Sequence, residues 1–566
     1  MSPGPSPSIA GMIEEALECH RAGRLADAER IYRQVLAINP RHADGLHLLG
    51  MVAYQEGRLD EAAGLIRQAI AIHKQGGAYY ANLGTVLHAQ GKTREAELLY
   101  RHALTLKPDS AEVHANLGNI LQFQGAFAEC IPYYERALAL KPDSAETHNN
   151  MANALQEQGS INAAKAHYER ALDLRPDYAE ACYNLGNASH DQDKLEEAVA
   201  FYQRALALMP EYPEAFYNLG NVLREQGKVD EALVQFGKAL ALRPDYAQAG
   251  FGEALAQLLQ GSFSVGWRNF ERRWQSIDHD TPGRAYTQPA WTGEKLATGG
   301  LLVWAEQGVG DEIMFAGLIP EVIQTGNRCI LDCDPRLRPL FARSFPDVLA
   351  VSGCGPGLQP ELNIASHMPT GSLPGLFRTS DEAFAATKSP YLFADPAATE
   401  RLRARYSDGK RLVGLAWHTK NCKTGRFRSI DLARLRSLFA NSDLSWVSLQ
   451  YGDHDDLQSQ AAAANAPLLI DRGVDQLTDM DLFAAQVAAM DLVITIDNST
   501  AHLAGALGVP VWVLLPFAPD WRWLLDREDS PWYPTMRLFR QPKPGDWQSA
   551  VGRVNRALAD SVPPGC

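Results

Sequence analysis

Three clusters in the second half of the chain have residue types that could bind an anionic group and transfer what it carries. The first is Glu306-Gln307-Gly308-Val309-Gly310-Asp311-Glu312, directly after the apolar run Leu301–Ala305. Its two glycines allow a tight turn close to a ligand, and Asp311 then opens a helix. The pattern does not complete the GxGxxG dinucleotide fingerprint. Asp311 and Glu312 fit equally well as favourable charge at a helix start, worth ~0.3–1 kcal/mol, or as a carboxylate facing a cleft as a general base.

The second cluster follows the apolar run Arg411–Trp417. Between His418 and Ser429 it places Lys420, Lys423, Arg426 and Arg428, four cations in nine residues with no acid among them. Such a loop could hold a diphosphate and stabilise it as a leaving group; a solvated basic loop is the plainer alternative. The third cluster, Asp497-Asn498-Ser499-Thr500-Ala501-His502, follows Leu492–Ile496 and enters a helix rich in small residues. Asn498, Ser499 and Thr500 can cap that helix and leave N–H groups for phosphate oxygens. His502 lies on its first turn.

These clusters need strands that end at one place. Leu301–Ala305, Arg328–Cys333, Val348–Ser352, Arg411–Trp417, Leu444–Gln450, Pro467–Ile470, Leu492–Ile496 and Val509–Leu515 read as buried strands, most followed by a helix. That order predicts doubly wound parallel sheets with ligands at the carboxyl ends of the strands. The proline-bearing segment 386–410 is placed to separate two such sheets.

The first half has a different logic. Pro40, Pro108, Pro142, Pro176, Pro210 and Pro244 share a 34-residue register. Gly50, Gly84, Gly118, Gly186 and Gly220 keep it, with Ala152 in the remaining slot. So do Gly23, Gly57, Gly91, Gly125, Gly159 and Gly227, with Asp193 in the gap. The first glycine lets two helices approach, the second makes the turn between them, and the proline ends the unit. Seven units run from about 9 to 246. Residues 247–280 keep the length without the pattern, and Trp267, Phe270 and Trp274 read as a capping helix pair docked on the second half of the chain. Asn82, Asn116, Asn150, Asn184 and Asn218 repeat at one position, and Asn119, Asn153, Asn187 and Asn221 come three residues later. Amides both donate and accept, so such a ladder could hold peptide backbone of any sequence; asparagine common to generic repeats is the competing reading.

Composition bounds the rest. The chain has 566 residues and a net charge of −14, which disfavours general nucleic-acid binding. No stretch is apolar enough for a membrane span, and the first residues lack a secretory pattern. The eight cysteines show neither CxxC nor zinc-finger spacing; Cys329 and Cys333 read as buried apolar residues. A reducing cytoplasm is the expected compartment.

The 34-residue pattern resembles the tetratricopeptide repeat, and its Asn-Leu-Gly-Asn units resemble the repeat half of eukaryotic O-GlcNAc transferases. "Gly-Val-Gly-Asp", the basic loop after "Leu-Ala-Trp-His", and "Asp-Asn-Ser-Thr-Ala-His-Leu-Ala-Gly-Ala-Leu-Gly-Val-Pro" together look like the heptosyltransferase type of bacterial glycosyltransferase, over about 300–545. This chain differs from them in Asn498-Ser499-Thr500 and in a long Pro519–Trp523 segment. The combination resembles bacterial protein glycosyltransferases, including those that modify flagellin.

The resemblance implies an all-α tetratricopeptide superhelix (9–280) followed by an α/β GT-B domain of two Rossmann-like halves, 281–395 on the acceptor side and 396–566 on the nucleotide-sugar side. It implies Asp311 as the base. Thr419, Lys423, Gln450, Asp497, Asn498, Ser499, Thr500 and His502 would bind the donor. Asn82, Asn116, Asn150, Asn184 and Asn218 would hold the acceptor. The expected activity is inverting, metal-independent O-glycosylation of Ser or Thr in a protein such as flagellin. A nucleotide sugar is the co-substrate, no other cofactor is expected, and the repeats could also serve an oligomer. Two alternatives are a glycan or lipid glycosyltransferase with the repeats as scaffold, and a non-catalytic repeat adaptor.

Overall fold

The structure, a computed structural model, describes residues 8–276, 286–353, 362–420 and 425–561. The chain packs as two units, 1–211 and 212–566.

The first unit is six antiparallel helix pairs, from Ile9–Arg21 with Leu25–Ile38 to Ala179–Asp191 with Leu195–Leu208. The turn glycines Gly23, Gly57, Gly91, Gly125 and Gly159 all have φ between +73° and +77°, and Asp193 takes the same left-handed turn at +60°. The other glycine slot is explained by what lies over it. A Cβ on Gly118 would sit 2.6 Å from the Tyr134 ring. Tyr134, Tyr168 and Tyr202 are buried under this slot in successive pairs, and their hydroxyls donate to Asn119, Asn153 and Asn187 at 2.8, 2.6 and 2.7 Å. The second asparagine series therefore braces helix pairs from within, and at least three of its members serve packing.

The second unit opens with two more helix pairs, Pro213–Glu225 with Val229–Leu242 and Ala247–Leu259 with Phe263–Phe270. The last pair keeps the turn geometry, with Gly261 at φ +78°. Trp267 donates from Nε1 to the Arg378 carbonyl at 2.9 Å and meets Trp521 edge-on at 5.2 Å. Trp274 lies 5.4 Å from Trp304. Beneath them Arg273 grips Glu306 through two 2.8 Å bonds, with neither side chain exposed.

Two parallel sheets complete this unit. The first comprises β1 (Gly300–Trp304), β2 (Arg328–Asp332), β3 (Leu349–Val351) and β4 (Ile364–Pro369), in the order β3-β2-β1-β4. The second comprises β5 (Arg411–Leu415), β6 (Leu444–Ser448), β7 (Leu468–Leu469), β8 (Leu492–Ile496), β9 (Val511–Leu515) and β10 (Met536–Arg540). Its order is β10-β9-β8-β5-β6-β7, the 3-2-1-4-5-6 arrangement of a doubly wound sheet. All eight expected strands are present. Sequence reading misses β4 and β10. The run Ile-Ala-Ser-His-Met-Pro in β4 carries polar residues whose needs are met by tertiary bonds: Ser366 donates to the Pro289 carbonyl at 2.7 Å, and Trp304 Nε1 donates to His367 Nδ1 at 3.2 Å. Two arginines, Arg537 and Arg540, disguise β10. Cys329 and Cys333 are buried free thiols, as expected.

The sheets are tied together beside their strand ends. Arg343 pairs with Asp481 through bonds of 2.7 and 2.6 Å, and Tyr391 donates to the Ile313 carbonyl at 2.8 Å.

Candidate active site

Each sheet has one place where its strand order reverses, between β1 and β4 and between β5 and β8, and the crevice at such a place is where ligands bind in sheets of this kind. The loops after β1, β5 and β8 are the three sequence clusters. They converge on one cleft of about 790 Å³. Gly310 and His502 make the junction: a Cβ on Gly310 would lie 3.2 Å from His502 Cδ2 and 3.5 Å from Ser499 Cα. Two helix starts, Val309–Ala316 and Ser499–Ala506, therefore meet beside the cleft.

The first turn is held from below. Glu306 is buried, bound by Arg273 and by the Gly371 N–H at 2.8 Å, and Gln307 takes a left-handed φ of +65°. Asp311 then faces the cleft. Glu312 points away: it is buried and accepts the Asp334 N–H at 2.8 Å, and burial lifts its carboxyl to about 7. Asp311 is the cleft carboxylate, and Glu312 pins the loop after β2.

The second helix start is capped by Asn498, whose Oδ1 accepts from Ala501 N at 3.2 Å and from Thr495 Oγ1 at 3.0 Å. Its Nδ2 is buried and has no hydrogen-bond partner among the described residues. His502 is buried, stacked on Trp523 at 5.1 Å, with Nδ1 2.9 Å from the Tyr533 hydroxyl. Burial first, and the nearby Arg522 second, push the imidazole down to about 3, so it is neutral at ordinary pH.

Of the expected donor residues, Thr419, Asp497, Asn498, Ser499 and His502 line the cleft with Asp311. Lys423 lies outside the described residues; Lys420 of the same loop lines the cleft. Gln450 and Thr500 are not on the cleft wall. Gln450 accepts from Trp417 N and His418 N at 2.9 and 2.8 Å and donates to the His418 and Tyr451 carbonyls at 3.1 Å. Its amide is saturated by backbone, and it fixes the end of β5 against β6. Thr500 is buried behind the helix start.

Sequence reading misses Arg522. Its Nε donates to Asp311 Oδ1 at 2.8 Å, with Nη2 on the same oxygen, and its Nη1 donates to Asp520 Oδ1 at 2.5 Å. Arg428 joins the set, 3.1 Å from Asp497 and 3.6 Å from Asp520. Burial raises the Asp311 and Asp497 carboxyls, against the pull of Arg522 and Arg428 respectively. For Asp520 burial is outweighed by the same two guanidiniums, and its carboxyl is held low. The only advance signal for Arg522 is its place in the unusual Pro519–Trp523 segment. Phe251, Leu255 and Phe270 of the last helix pair supply an apolar wall.

The asparagine ladder is partly self-paired. Asn82 Nδ2 is 2.7 Å from His47 Nε2, Asn150 donates to Asn119 at 2.9 Å, and Asn184 donates to Asn149 at 3.1 Å. All five ladder members are half-buried.

Models of the tetratricopeptide repeat match residues 20–85, 109–177 and 213–246, and a further repeat model matches 84–125 and 186–224. The first half of the chain is built of tetratricopeptide repeats. Protein FlbA of Caulobacter vibrioides is 31% identical over 332 residues, which covers 55% of this chain and 54% of FlbA. The chain thus spans about half the length of the curated relative it matches. Among solved structures, YrrB, described as a repeat protein with an unusual peptide-binding site, is 23% identical with a TM-score of 0.29, covering 32% of this chain and 95% of its own. PilF of Pseudomonas aeruginosa is 19% identical with a TM-score of 0.34, covering 37% and 94%. No helix among the described residues is long and apolar enough to cross a membrane.

Proposed function

We propose that the protein is a glycosyltransferase that moves a sugar from a nucleotide donor to a Ser or Thr hydroxyl of a protein held by its tetratricopeptide repeats, flagellin being the candidate acceptor. One observation carries this reading: Asp311 and the Asn498–His502 helix start, from different sheets, share one cleft with Lys420 and Arg428. That set supplies both a base and an anion site.

The donor phosphate sits at the two helix starts, where unpaired N–H groups and the helix dipoles favour negative charge. The Nδ2 of Asn498 lacks a partner among the described residues and offers a further donor. The acceptor oxygen forms the new bond to the anomeric carbon as the sugar–phosphate C–O bond breaks. The hydroxyl proton passes to Asp311, and the nucleotide leaves with the bonding electron pair, so the anomeric centre inverts. The chemistry asks nothing of the chain beyond this base and this anion site. We place the reaction in the cytoplasm, where nucleotide sugars and unassembled acceptors meet.

Intact-mass measurement of candidate acceptors, with and without the gene, tests the reading. A sugar increment that disappears with the gene and with Asp311→Asn supports it. Identical acceptor masses in all three strains overturn it.

A further inference from the structure

Of the seven charged side chains that line the cleft, five stand in alternating order: Asp311, Arg522, Asp520, Arg428 and Asp497. Successive members lie 2.8, 2.5, 3.6 and 3.1 Å apart. Asp311 lies at the end that reaches the first helix start, and Arg522 is its partner there. Arg522 lies over the Trp521 ring at 4.4 Å and donates to Gln307 Oε1 at 3.3 Å, so its guanidinium reaches the glycine turn as well as the carboxylate.

This pairing has a chemical consequence. Two guanidinium N–H bonds on one oxygen lower the proton affinity of Asp311 and oppose the rise that burial gives it. A phosphate entering the same cleft competes for that guanidinium with more negative charge than one carboxylate carries. Resting on the nucleotide-sugar reading above, we infer that Arg522 is a positioning residue that couples phosphate binding to base strength, holding Asp311 until a donor phosphate draws the guanidinium away.

The other charged or titratable groups near Asp311 do not supply this coupling. Asp520 is the shared partner of Arg522 and Arg428. His502 is neutral, pushed down to about 3, and the buried Tyr533 phenol is raised well above its ordinary value, first by burial. By linkage, if phosphate binding strengthens Asp311 as a base, protonation of Asp311 must strengthen phosphate binding by the same factor. Binding therefore draws in protons, most strongly between the pKa of the free carboxyl and that of the phosphate-bound one.

Calorimetry of the full chain, in buffers of different ionisation heat, reads this directly. The probes are inorganic pyrophosphate and a panel of nucleoside mono- and diphosphates. The wild type is expected to take up protons on binding near pH 6. Asp311→Asn, which mimics the protonated acid, should bind at least as tightly as the wild type, with the uptake gone. Arg522→Gln should lose about tenfold or more in affinity together with the uptake. Arg522→Lys, which keeps the charge and the fold, should recover most of the affinity but not the full uptake, because a point charge lacks the fork that spans both partners. Uptake that survives Asp311→Asn, or an unchanged affinity in Arg522→Gln, overturns the coupling and leaves the glycosyltransferase reading standing. Failure of every phosphate probe to bind overturns both.

Discussion

Gly310 and His502 stand on helices that follow strands of different sheets, yet a single methyl at Gly310 would come within 3.2 Å of the His502 ring. This close approach brings the two helix starts together and sets the width of the cleft between them. A larger side chain at Gly310 should open the junction. Gly310→Val is expected to weaken pyrophosphate binding by about tenfold or more, while Gly310→Ala, which asks the imidazole to yield by only a few tenths of an ångström, should cost less. Titration of both variants checks the order.

Asp311→Asn should remove transfer and spare nucleotide binding. An amide cannot take the hydroxyl proton, and loss of a general base typically costs ~10²–10⁴ in rate. Single-turnover transfer at saturating donor measures the loss. Turnover like that of the wild type would remove Asp311 from the mechanism.

Glu312 gives a pH signature in stability. Its carboxyl sits near 4.5 in the unfolded chain and about 7 in the folded one. Between these values the folded state binds the extra proton, so stability falls as pH rises from about 4.5 to about 7 and then levels off. Glu312→Gln keeps the bond from Asp334 N without the buried charge. It should match the wild type below about pH 4.5 and exceed it by up to about 3 kcal/mol at about pH 8. Thermal melts across that range would show the gap opening; a constant gap would contradict the assignment.

Tyr134→Phe should cost about 1 kcal/mol. The ring still fits the Gly118 slot, as Phe236 does against Gly220, but the hydroxyl bonds to Asn119 and Gln122 are lost. Urea unfolding of the two forms gives the difference.

The asparagine ladder should fail only when several rungs go together. Each net hydrogen bond is worth ~0.5–1.5 kcal/mol, and Asn150 and Asn184 already satisfy part of their amides within the repeats. A single Asn→Ala change should barely alter acceptor capture. Replacing Asn116, Asn150, Asn184 and Asn218 together in the full chain should abolish it while pyrophosphate binding persists. Capture that survives the quadruple change would assign the acceptor to another surface.

The repeats were legible in the sequence because their causes are local. A turn φ, a helix–helix approach and a chain break each need one residue type at one spacing, so a 34-residue register alone fixes where helices turn. Even Asp193, the register's exception, adopts the left-handed turn of the glycines it replaces. Eight strands were legible for a similar reason, since most are buried on both faces and so leave a continuous apolar run. Strand β4 was hidden because its polar residues find partners far along the chain, and β10 because its two arginines break the apolar run. The same distance separates expectation from fact in the cleft. Residue types named Asp311, Asn498 and His502, but only folding decided that Gln450 spends its amide on the backbone of β5 and that Glu312 turns inward. Arg522 lies 211 residues from Asp311, and no periodicity or motif spans that interval. Charge complementarity in a buried cleft is a property of space, and it exists only once both sheets have packed.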